Sequence, residues 1–159
     1  MIGLAIIVIL IAFGMFFIIR FSVSDQQESI TKTVQVKELP KNFLNTLLYS
    51  EAGCEGSSAT FTRLIGDLED PLSSSLTCGG KSGEDLFFYL NETLSDLLSQ
   101  TLGEWGHNYE LLIDFPDTAP IEENEIRITN ICIGDQKDSS HFPFTGDYGM
   151  IRVVLTICH

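Results

Sequence analysis

The sequence predicts an α+β domain. Helical periodicity fills the first half of the chain's polar portion, strand alternation fills the second half, and four cysteines are spread across both. Helices first and strands after imply a small disulfide-stapled head, with helices packed on an antiparallel sheet of about three strands around one core. A separate apolar run leads into this head.

That run extends from Met1 to Ile19 without a charge, and Arg20 and Phe21 close it. At about 1.5 Å rise per residue, roughly twenty apolar residues span a hydrocarbon core of about 30 Å. Residues 1–21 are therefore expected to form a transmembrane-type anchor helix. A cleaved signal peptide would carry a basic start and a small-residue cleavage site, and Phe21-Ser22-Val23-Ser24 is a poor one. Gly3, Ala5, Ala12 and Gly14 are small residues on this otherwise bulky helix, and small residues permit close helix approach in lipid. The expected partners of residues 1–21 are accordingly membrane lipid or copies of the chain itself.

Two readings of orientation compete. Arg20, Lys32, Lys37 and Lys41 follow the span, which by the positive-inside rule places the head in the cytoplasm. Against this stand an even count of four cysteines, the glycosylation sequon Asn91-Glu92-Thr93, and nineteen acidic against five basic side chains after Lys41. The balance favours a head outside the cytoplasm, held at the cell membrane.

Residues 22–41 read as a polar stalk, with Pro40 as its boundary, and residues 42–159 as the acidic head. Phe43, Leu44, Leu47 and Leu48 have helical spacing up to about Gly53, and a second helix is expected over Ala59 to Glu69. Asp70 to Gly83 reads as a loop. The clearest element is a helix from Gly83 to Leu102, with Ser82 as N-cap and Gly103 as stop. Leu86, Phe87, Leu90, Leu94, Leu97, Leu98 and Leu102 form its apolar arc, while Phe88 and Tyr89 fall outside it. Strands are expected over His107 to Phe115, Glu125 to Ile133 and Met150 to Cys158, from their alternation and their Ile and Val content.

Four cysteines allow three connectivities. Their placement favours Cys54 with Cys78 and Cys132 with Cys158, each closing a loop of about 25 residues and contributing about 3 kcal/mol. A zinc site with His107, His141 or His159 is disfavoured by the lack of a short cysteine pair. Asp135, Asp138 and the run Glu122-Glu123-Asn124-Glu125 offer oxygens for calcium, yet neither stretch has the EF-hand spacing. The chain contains no G-x-S-x-G, H-E-x-x-H, Walker or G-x-G-x-x-G motif, so no enzymatic activity, cofactor or metal is expected. A net charge of −13 disfavours nucleic acid.

Two candidate surface features remain. Gly134 to Gly149 reads as a long loop carrying His141, Phe142, Phe144 and Tyr148, a candidate interaction loop. Pro143 between two phenylalanines instead suggests an edge strand packing inward. Asn91 is a candidate glycosylation acceptor, but a mid-helix position beside Phe87 and Leu94 would make a glycan crowd the packing.

The layout resembles that of type IV pilin-like subunits: an apolar helix at the N-terminus, a polar continuation and a C-terminal α+β head. It is also similar to short archaeal single-span exported proteins. Cys132 and Cys158 resemble the disulfide-bounded C-terminal loop of many pilins, whereas Ala5 stands where many pilins carry a glutamate. The resemblance implies a non-enzymatic structural or interaction protein, in its sharper form a subunit of a surface filament. The alternative is a cell-envelope enzyme or small-ligand-binding domain whose site is assembled from distant residues.

Overall fold

The computed structural model describes residues 38–121, 124–132 and 137–158. The expected anchor over 1–21 and most of the stalk over 22–41 lie outside the described residues, as do Glu122, Glu123, Asp135 and His159. Among the described residues no helix is long and apolar enough to cross a membrane. Leu39–His159 forms one compact unit of α+β architecture, with three α-helices and antiparallel sheets.

Among the described residues helix α1 covers residues 38–49, with Pro40 inside it, and the compact unit begins at Leu39. Proline's fixed φ of about −65° suits a helix, where its cost is the missing N–H and, beyond the first turn, a clash of its ring with the carbonyl four residues back. Leu44, Leu47 and Leu48 are buried. Helix α2 covers Phe61–Asp67, shorter than the expected span. Ala59 stays outside it because its carbonyl accepts from Ala52 N at 2.8 Å, and Thr60 then caps the helix by accepting from Arg63 N.

The expected loop from Asp70 to Gly83 contains a two-stranded ribbon, β1 (Thr77–Cys78) and β2 (Lys81–Ser82). Its turn is Gly79-Gly80, both at positive φ. Ser82 is paired with Thr77 in this ribbon, so it does not cap the next helix; Glu84 takes the N-cap position without a side-chain bond.

Helix α3 covers Asp85–Leu98, and Leu86, Leu90, Leu94 and Leu98 form a fully buried row at four-residue spacing. The helical path expected to reach Leu102 does so, but its last turn is not α-helical. From Ser99 to Gly103 the chain widens into a π-turn, in which Glu104 N donates to Ser99 O five residues back. Thr101 Oγ1 donates to Leu97 O at 2.5 Å, drawing on a carbonyl of the helix's last turn. The extra width still delivers Leu102 to the core.

The main sheet has four strands rather than three: β3 (Asn108–Asp114), β4 (Glu125–Asn130), β5 (Lys137–Thr145) and β6 (Met150–Cys158). Their order is β4-β3-β6-β5 with every neighbour antiparallel, so two hairpins join through the β3–β6 pair. The inward row includes Tyr109, Leu111, Ile113, Ile126, Ile128, Ile151, Val153, Leu155 and Ile157, all buried in one cluster with the helix leucines.

Candidate functional site

The residues expected to form an interaction loop lie mostly on a strand. His141, Phe142 and Phe144 belong to β5, one of the two edge strands, and only Tyr148 lies in the turn to β6. Pro143 is tolerated there because an edge strand leaves one row of backbone groups unpaired. Phe142 and Phe144 are partly buried against the core, and Phe142 meets Tyr49 of α1 edge-to-face at 5.8 Å. His141 alternates to the outer, exposed face. This stretch is therefore the inward-packing edge strand that Pro143 suggests, and its two rings lie partly buried against the core.

Tyr148 has a different role. Its backbone N–H donates to Glu69 Oε2 at 3.2 Å, its hydroxyl donates to Asp70 Oδ2 at 3.1 Å, and its carbonyl accepts from Thr118 Oγ1 at 2.6 Å. The β5–β6 turn is thus tied to the end of α2 and to the β3–β4 connection. Glu69 is fully buried, and its Oε1 has no hydrogen-bond partner among the described residues. Gly146 permits this approach, since a Cβ there would land on the Glu69 carboxylate. The bond to Asp70, then burial and the charges of Asp70, Asp147 and Glu69, hold the Tyr148 hydroxyl above the usual tyrosine value. Nothing in the local sequence distinguished Glu69 from a solvated acid at a helix end.

Tyr89, outside the apolar arc of α3, finds an intramolecular partner. Its hydroxyl donates to Ala52 O at 2.7 Å, and its ring lies over Gly79, where a Cβ would meet Tyr89 Cε2 at 2.7 Å. Among the described residues Phe88 finds none, and it is 65% exposed. It borders a groove of about 200 Å³ lined by Leu68, Pro71, Leu72, Glu84, Phe87, Phe88, Pro120 and Ile121. Among the described residues Glu84 is the single ionisable group in that lining, and Leu72 is 82% exposed at its rim. The described lining is apolar apart from this carboxylate and can take an apolar side chain or a small apolar ligand.

On its other side Phe88 borders a shallow, solvent-open depression shared with Lys81, Asn91, Glu92 and Ser95. Lys81 Nζ lies 3.2 Å from Glu92 Oε2 across it. Asn91 is exposed, so the crowding expected at this position does not occur: the fully buried row is Leu86, Leu90, Leu94 and Leu98, and Asn91 lies about 100° around the helix from Leu90.

Both expected disulfides are present. Cys54 and Cys78 face each other as an isolated antiparallel bridge with Cα atoms 3.9 Å apart, and join the segment after α1 to the ribbon. Cys132 joins Cys158 at the end of β6, with Cα atoms 5.5 Å apart. No cysteine is left free. Among the described residues no group of three or more His, Cys, Asp or Glu is placed to hold a metal ion. Comparisons with protein-family models, with curated proteins and with solved structures found no match to this chain.

Proposed function

We propose that this chain is a non-enzymatic, membrane-anchored exported protein whose acidic head works through protein contacts, in its sharper form as a pilin-like subunit of a surface filament. The observation that carries this reading is the pairing of all four cysteines in a small acidic domain. Structural disulfides persist in oxidising compartments outside the cytoplasm. The uncharged run from Met1 to Ile19 supplies the anchor and, in a filament, the surface that packs against copies of itself. The head is filled with apolar side chains, and its strong like charge opposes self-association there at low salt.

Membrane fractionation of native cells tests the anchor: alkaline washing should leave the chain in the membrane pellet, and a membrane-impermeant label should reach the head in intact cells. Release by the wash, or a head reached only after lysis, would overturn the reading. Images of the native material separate filaments from dispersed anchors.

The groove beside Phe88 favours a second reading, a head that binds a small apolar ligand. Saturable binding of an apolar fluorescent probe, abolished by Phe87→Trp within the groove, would establish it.

A further inference from the structure

We propose that Asn91 carries an N-linked saccharide whose first sugar lies on the exposed ring of Phe88, one helical turn earlier on the same side of α3. The inference rests on the export reading, because the donor saccharides are presented outside the cytoplasm. Three independent features converge on this residue. Asn91-Glu92-Thr93 is an acceptor triplet with no proline at its centre. The Asn91 side chain is exposed, on a helix whose fully buried row runs through Leu90 and Leu94. Beside it lies a shallow open depression, bordered by Phe88 and Ser95 and by the Lys81–Glu92 ion pair.

Phe88 is the telling member of the group. Helix residues three apart are neighbours, so the ring of Phe88 lies next to the Asn91 amide. It is 65% exposed, while Phe87 on one side packs partly against the core and Tyr89 on the other bonds to Ala52. No protein group among the described residues covers it. A pyranose has one face of C–H bonds and a rim of hydroxyls. Its apolar face matches the Phe88 ring, and its rim meets the Ser95 hydroxyl and the Lys81–Glu92 pair.

The covalent step is a substitution at the anomeric carbon of a lipid-linked saccharide. The Asn91 amide nitrogen forms the new C–N bond, the bond from C1 to the phosphate oxygen of the lipid carrier breaks, and the carrier leaves with that electron pair. The amide proton passes to a base of the transferring enzyme, and no oxidant or reductant is needed. An asparagine in a closed helical turn is poorly presented to such an enzyme, so transfer precedes the packing of α3. The finished fold accepts the product because the attachment point faces solvent.

Mass spectrometry of full-length protein from its native cells tests this, with thiols alkylated before and after reduction in parallel samples. The expected result is a saccharide mass on the peptide containing Asn91, lost in Asn91→Gln and Thr93→Ala and kept in Thr93→Ser. A bare Asn91 in protein whose cysteines are all paired overturns the acceptor and leaves the export reading standing. A bare Asn91 together with alkylatable cysteines overturns both. For the stacking, Phe88→Ala should lower the Tm of the glycosylated protein and leave that of the Asn91→Gln protein unchanged. Equal shifts in the two backgrounds would remove Phe88 from the sugar's site.

Discussion

Along β3 the inward residues Tyr109, Leu111 and Ile113 are buried against the helices, while Glu110 and Asp114, between and beyond them, face outward into a different chemistry. On that outer face Arg127 lies between Glu110 at 2.7 Å and Glu125 at 2.9 Å, and Arg152 pairs with Asp114. Ser139 and Thr156 share a hydrogen bond of 2.9 Å across the β5–β6 pair. Among the described residues the same four strands thus serve a dry face with no charge except at its margin, where Glu69 lies, and a wet face where charges neutralise one another locally. Burial of apolar area is worth roughly 25 cal/mol per Å², whereas an exposed ion pair is worth about 0–1 kcal/mol. Stability should therefore reside on the inner face, and the outer face should tolerate change.

The sharpest way to break this contrast is Leu94→Ala. Leu94 is 1% exposed in the row that packs beneath the sheet, and its truncation should cost about 2–5 kcal/mol in denaturant titrations. Leu97, expected from sequence to be equally central, is only partly buried, so Leu97→Ala should cost clearly less. Equal losses would show that the helix buries both faces in the working assembly. Replacing Cys54 and Cys78 together by Ala removes a crosslink between residues 24 apart and should cost about 3 kcal/mol, with a matching fall in Tm.

Next in size is Gly146→Ala. The added methyl meets the buried Glu69 carboxylate, so the turn must shift, at a cost of about 1–3 kcal/mol. Pairing it with Glu69→Ala in a double-mutant cycle should recover part of that loss, and strict additivity would refute the contact. On the outer face Arg152→Ala should cost no more than about 1 kcal/mol and should cost less still at high salt. A loss as large as that of Leu94→Ala would mean that the two faces do not differ as described.

The smallest effect concerns pH. The Tyr148 hydroxyl is held above its usual value first by its bond to Asp70, so the fold favours the neutral form. That contribution is complete below the unfolded tyrosine value of about 10 and fades as pH rises through the higher folded value. Tyr148→Phe should flatten this alkaline loss in thermal melts between neutral pH and pH values above about 10. Tyr109, raised by burial, contributes in the same direction and would keep part of the slope.

Much of the fold was legible because its signals are local. The leucine spacing of α3, the alternation in β3, and the Ile and Val content of β4 and β6 each require only that one side of an element meet the core. The misplaced elements had competitors elsewhere in the chain. Ser82 is a good cap in isolation, but the ribbon pairs it with Thr77. Within residues 137–145 only Phe142-Pro143-Phe144 suggests an inward-packing edge strand, and β6 recruits the whole stretch through backbone bonds that are blind to side chains. The candidate surface was legible only in part: the acceptor triplet at Asn91 is written in the sequence, while its exposure beside Phe88 is not.

The sequence by itself determined the fold class, the acidic character and an even number of cysteines, because periodicity, charge and residue count do not depend on distant partners. Only the tertiary structure decided which side of α3 is dry, where Glu69 is buried, and that Tyr148 closes a turn over a carboxylate 79 positions away. Such contacts join segments by shape and hydrogen bonding across the fold, and no short window of sequence carries the information that two remote segments will meet.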